Sequence, residues 1–182
     1  MLEKHMLDLL EAIEDSYAKS RIIPCLVLVY SGIDVVASLE PSQGIGVGDR
    51  FKKWVDRYML SYLTNCTAAD LYGARCAVVH TFTPDSDLSR GGRARVVAYA
   101  FGSAKLSDLE EASAIAGRSE QVNVHIRDLI NAFRNGFADY LQEIGNDKTR
   151  FEEMEKSAGL WTVRIDPKMI QDYIAVSRVA HT

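Results

Sequence analysis

Leu2, Met6, Leu9, Leu10, Ile13 and Tyr17 recur every three or four positions between acids and lysines, which predicts an amphipathic helix over residues 2–19. From Arg21 to Leu39 the chain is apolar on nearly every side. Its β-branched content would suit a buried strand, but its length and Pro24 near the start predict a deeply buried central helix. Pro41-Ser-Gln-Gly-Ile-Gly-Val-Gly48 holds three glycines and a proline and reads as a connection, with Asp49 as cap of the next helix. Phe51, Trp54, Val55, Tyr58, Met59 and Tyr62 trace that helix, opposed by Lys52, Lys53, Asp56 and Arg57.

Thr67-Ala-Ala-Asp70 resembles a capping box with Asp in place of Glu, and opens a fourth helix that runs through Leu71, Cys76, Val78, Val79 and Phe82 until Pro84 closes it. The polar, glycine-bearing run Pro84 to Arg95 predicts an exposed loop. Residues 96–101, 122–126 and 160–165 have the short alternation of strands, so a small accessory sheet is expected. Helices are predicted over 126–144 and 149–157, and a last one from Asp166-Pro167 to about Val179. The sum is a mainly α chain, a helical bundle with a small accessory β element in its C-terminal half.

The 182 residues suit one domain with its own core. Three cysteines, Cys25, Cys66 and Cys76, are odd in number, and two lie in apolar stretches, which fits a reducing, cytoplasmic setting. The opening segment Met1 to Asp8 is charged and amphipathic, unlike a signal peptide, and the longest apolar run, Ile22 to Tyr30, is too short to span a bilayer. No membrane role is expected. A net charge of −4 argues against a surface built for nonspecific nucleic-acid binding, although local basic patches remain open.

Arg75 and His80 are the residues best suited to chemistry. An imidazole moves protons near neutral pH, while a guanidinium holds a phosphate through paired hydrogen bonds and stabilises charge developing on it, so the two together suit attack on a phosphodiester. The neighbouring sequence has no carboxylate cluster for Mg²⁺, and His5, His125 and His181 are too scattered for a zinc site, so no metal or other cofactor is expected. Five positions on a straight helix turn a side chain by about 140°, which separates the two unless the helix bends or a two-fold dimer brings them into one cleft. The dimer is the favoured arrangement, with Tyr72, Cys76 and His80 on one face lining the cleft. A purely structural arrangement competes with this, Arg75 paired with Asp70 or another acid and His80 resting near a helix C-terminus.

Two other stretches bear on ligands. Arg90, Arg93 and Arg95, spaced by Gly91 and Gly92, suit phosphate contact, diluted by Asp85 and Asp87 and rivalled by the plainer reading of a solvated loop. Gly44-Ile-Gly-Val-Gly48 lacks the order and the lysine of a phosphate loop and reads as an interhelical connection.

An arginine followed four to six residues later by a histidine, late in a helix of a small α bundle, is the pattern of HEPN domains, and Leu71-Tyr-Gly-Ala-Arg-Cys-Ala-Val-Val-His-Thr-Phe-Thr83 resembles it. The resemblance covers residues 2–84. Residues 96–182 have no counterpart in it and form an extension expected to pack on the same single domain. One position departs from the pattern: the residue after the arginine is commonly polar, and here it is Cys76. The resemblance implies a helical bundle of the HEPN type, a homodimer, and metal-independent ribonuclease activity with Arg75 and His80 as the active centre. The resemblance carries over to Arg75 and His80 only; the residues themselves, by helical spacing and basic charge, point to Tyr72, Cys76, Arg90, Arg93 and Arg95 for substrate contacts. A toxin or antiphage role follows from the resemblance by analogy alone. The competing expectation is a noncatalytic module that binds a nucleotide or a protein partner through the same surface.

Overall fold

A computed structural model of the chain describes residues 2–40 and 44–159. Within them lie eight helices and two strands: α1 (Leu2–Ala18), α2 (Ile22–Ser38), α3 (Val47–Tyr58), α4 (Ala68–His80), α5 (Asp87–Arg90), β1 (Val97–Ala100), α6 (Leu106–Ile115), β2 (Val122–His125), α7 (Ile126–Gly145) and α8 (Lys148–Gly159). The fold is mainly α with a small accessory sheet, as the hydrophobic pattern requires. The strand expected over 160–165 and the helix expected after Pro167 lie outside the described residues.

α2 is apolar all round because it is surrounded, packing against α1, α3, α4 and α7. Cys25, Leu26, Val29, Tyr30, Ile33 and Val36 are all buried, and Asp34 is the only charged residue along its length. α3 and α7 contribute the largest buried rings. Trp54 and Tyr58 stack with Tyr140 at centroid separations of 6.2 and 5.4 Å, and Trp54 meets Phe133 at 6.3 Å, distances at which tilted and edge-on aromatic pairs attract. α7 can come this close because Gly136 has no side chain: a Cβ there would stand 2.5 Å from the carbonyl oxygen of Tyr58. Arg150 ties α8 to the bundle by bridging Glu143 and Glu40, both at 2.6 Å.

Several element bounds differ from the sequence reading. α3 begins at Val47, inside the glycine-rich connection, with Gly46 rather than Asp49 at its cap, and it stops at Tyr58. Met59 and Leu63 continue the apolar pattern as buried residues of a non-helical turn, which is why periodicity alone carried the helix too far. α4 stops at His80 instead of reaching Pro84. The polar loop contains the single turn α5, closed by a Ser86–Ser89 capping box. α6 has no counterpart in the sequence reading, and only Ser113 in it is buried, so it has no apolar stripe to detect. It serves as the crossover that lets β1 and β2 pair in parallel, with Val97 opposite Val122 and Ala100 opposite His125.

Candidate functional site

The Thr67–Asp70 capping box fixes the start of α4: Asp70 N donates to Thr67 Oγ1 at 3.2 Å, and Thr67 N donates to Asp70 Oδ2 at 2.9 Å. From there the helix carries Tyr72, Arg75, Cys76 and His80 in register along the flank that meets α2 and α3. Arg75 is held from across the bundle. Asp34 Oδ2 accepts from its Nε at 2.7 Å and forms an ion pair with a terminal nitrogen at 2.6 Å, and the two side chains are only 15% and 21% exposed. Burial by itself would lower the arginine's affinity for its proton, but the hydrogen bonds and charge of Asp34 outweigh it and hold the pKa above its ordinary value.

The remaining terminal nitrogen of Arg75 lies 2.7 Å from His80 Nε2. The separation expected from helical rotation is therefore overcome within one chain. Rotation sets where Cβ atoms point, but His80 leans back over the preceding turn and the long arginine side chain extends to meet it. Neither a bend nor a second subunit is needed to bring the pair into contact. Because a guanidinium has only donors, Nε2 must be the acceptor, and the imidazole carries its proton on Nδ1. His80 is exposed at the last residue of α4, so its ring is open to solvent.

Cys76 and Tyr72 complete this cluster. Both are partly buried on α4 one turn apart, Cys76 directly following Arg75. Burial and the adjoining thiol raise the Tyr72 pKa. Tyr72 is gripped by its surroundings: its ring packs against Phe51 at 5.4 Å, and a Cβ at Gly48 would lie 2.7 Å from it. It braces α4 against α3 as much as it lines a surface. Cys25 and Cys66 are buried elsewhere in the core, where desolvation pushes their thiols up to about 11 and about 12.

The loop arginines belong to a different place. Arg93 and Arg95 line a cleft of about 670 Å³, together with Asp70, Ser89, Arg118 and Glu120, and none of Tyr72, Arg75, Cys76 or His80 borders it. Arg95 is occupied there: its backbone N–H donates to Asp70 Oδ1 at 2.7 Å, and its guanidinium grips Oδ2 at 2.6 and 3.1 Å. Burial would raise the Asp70 pKa, yet the hydrogen bonds from Arg95 and Thr67 hold it below its usual range. Asp70 is thus the partner of Arg95, and Arg75 takes Asp34. Arg90 pairs with Asp87 at 2.5 Å on the exposed surface.

Asp34 is the residue of this site that the sequence reading passed over. Its signal was present: one carboxylate in an otherwise uncharged, buried helix demands a cation. Its Oδ1 is buried without a hydrogen-bond partner among the described residues. Among those residues no group of three or more His, Cys, Asp or Glu side chains is placed to hold a metal ion, and no helix is long and apolar enough to cross a membrane. No protein-family model matches the chain, and neither does any curated protein or solved structure with which it was compared.

Proposed function

We propose that the chain is a metal-independent endoribonuclease of the HEPN kind, with Arg75 and His80 as its reacting groups. The observation that carries this reading is the 2.7 Å contact between the two on an exposed helix end. A titratable base and a cation suited to phosphate converge there where a strand of RNA has access. A phosphate oxygen that accepts the Arg75 N–H draws it off His80 Nε2, and the lone pair so released takes the proton of a ribose 2′-hydroxyl as that oxygen bonds to phosphorus. The bond from phosphorus to the 5′-oxygen then breaks, and His80 returns the proton to the leaving oxygen. The Arg75 N–H, transferred from Nε2 to the phosphate, then stabilises the charge building on the phosphorane. The products are a 2′,3′-cyclic phosphate and a 5′-hydroxyl. Homodimerisation, which the family resemblance implies, would set two such sites side by side.

The test is incubation of end-labelled single-stranded RNA with purified protein in EDTA, beside Arg75→Lys, Arg75→Ala and His80→Ala variants whose fold is checked by circular dichroism. Cleavage by the wild type and loss of at least a hundred-fold in His80→Ala is the expected result, in line with the usual contribution of a general base. Equal cleavage by all proteins, or none by the wild type, sinks the reading.

A second reading rests on the Asp34–Arg75 pair. A guanidinium fixed on one side by a half-buried carboxylate is a preorganised binding group as readily as a catalytic one, which favours a noncatalytic module for an RNA or nucleotide phosphate. Saturable thermal stabilisation by a nucleotide, absent in Arg75→Ala and without cleavage, would select it.

A further inference from the structure

Thr81 caps α4, and Phe82 then adopts a left-handed backbone, φ +51°. That conformation crowds Cβ against the following carbonyl, and the position just past a helix cap ordinarily goes to glycine or asparagine. Among the described residues only Ser20 and Phe82 adopt it without being glycine, and Phe82 is by far the bulkier. Burial does not offset the strain, because the side chain is 66% exposed. The turn is nonetheless braced. Thr81 Oγ1 lies 2.8 Å from the carbonyl of Ala77 and 2.7 Å from Thr83 Oγ1, which in turn lies 2.8 Å from the carbonyl of Asp85. A large ring is therefore held in water on a strained, braced turn, two residues beyond His80. Backbone strain that brings no packing collects at ligand sites.

We propose that Phe82 is the stacking platform of this site, taking an unpaired base of single-stranded RNA beside the phosphate that Arg75 and His80 engage. This rests on the reading of that pair as an RNA site. Charge and shape agree on the ligand: a donor-only guanidinium suits a phosphate oxygen, and an exposed ring suits the face of a base. A base within a duplex is covered on both faces, so the proposal makes the site specific for unpaired RNA. The preference among bases is slight, since every base presents a π-face.

The experiment titrates the full chain with a short single-stranded 2′-O-methyl RNA containing 2-aminopurine. This RNA lacks the nucleophile, so binding is read apart from cleavage. Phe82→Asn suits the left-handed backbone and removes the ring; Phe82→Trp keeps a stacking surface. Phe82→Asn is expected to melt about 2 °C higher than wild type, to lose most of the 2-aminopurine quenching, and to bind about ten-fold more weakly. Phe82→Trp is expected to quench and bind within about two-fold of wild type. Unchanged affinity in Phe82→Asn overturns the proposal, as does a lower melting temperature, which would make the ring a packing residue. A shift from dimer to monomer at constant RNA affinity also overturns it, by showing that a second copy covers the ring. Wild type that binds no RNA removes this proposal and the ribonuclease reading together. Quenching that depends on Phe82 in a protein that cleaves nothing removes only the ribonuclease reading. Cleavage with Phe82-independent binding removes only this one.

Discussion

Asp34 Oδ2 accepts from Arg75 Nε at 2.7 Å and stands 2.6 Å from a terminal nitrogen of the same guanidinium, and this grip orients the group so that its third nitrogen reaches His80. The pair joins α2 to α4. Each partner depends on the other, because a half-buried charge left alone pays the desolvation cost without the attraction.

Asp34→Ala should therefore destabilise the fold by about 2–3 kcal/mol, since it strands Arg75. The double change Asp34→Leu with Arg75→Met should recover most of that loss, because an ion pair replaced by apolar groups of similar size is often neutral. Urea denaturation of the three proteins checks both statements. A double variant no more stable than Asp34→Ala would mean that the pair is not the source of the loss.

Asp70 sets an acid limit. Its folded-state pKa lies below the unfolded value, so its contribution is complete above the unfolded pKa and is lost as pH falls through the folded one. Stability should hold steady between about pH 7 and pH 5 and decline below about pH 4. Glu143 is lowered as well, against its own burial, by hydrogen bonds from Arg150 and Arg57, and shares the window. The diagnostic quantity is thus the difference between wild type and Asp70→Asn. That gap should be about 1–2 kcal/mol at pH 7 and should narrow towards pH 3. A gap independent of pH would remove the Arg95–Asp70 pair as the cause.

The three cysteines should separate by reactivity. Cys25 and Cys66 are buried and their thiols are pushed up to about 11 and about 12, so almost no thiolate exists at pH 8. Cys76 is half-buried beside the Arg75 guanidinium. Iodoacetamide at pH 8 should add one group per native chain, mapped to Cys76 by mass spectrometry, and three in denaturant. Alkylation of Cys66 in the native protein would show that the core opens around it.

What the sequence made legible follows from where apolar surface is buried. α1, α3 and α7 each bury one face, and the 3.6-residue period exposes them, whereas α2, apolar all round, is legible from its length and Pro24, and α4 from its Thr67–Asp70 cap. α6 buries only Ser113 and α5 buries nothing, so neither leaves a period to read. The pairing of Arg75 with His80 was visible as a spacing, but the rotation argument described Cβ vectors and left out the reach of an arginine. Asp34 was legible in principle, as a lone charge in an apolar helix. The left-handed backbone at Phe82 was not, because its neighbours Thr81 and Thr83 belong to no turn motif that fixes φ.

The protonation of His80 is the point on which the chemistry turns. With Arg75 donating to Nε2, the imidazole is confined to the tautomer that is protonated on Nδ1, the less common form of a solvent-exposed histidine. Two-dimensional ¹⁵N–¹H spectra of the ring, recorded above the pH at which it becomes cationic, should show Nε2 as the unprotonated nitrogen in wild type. Arg75→Met removes the donor and should shift the balance toward the proton on Nε2. Asp34→Asn keeps the donor but loosens its orientation, so it should fall between the two. This ordering distinguishes a positioned base from a histidine that merely lies near a helix end. If all three proteins give the same tautomer balance, Arg75 does not orient the ring, and the general-base role assigned to Nε2 loses its structural support.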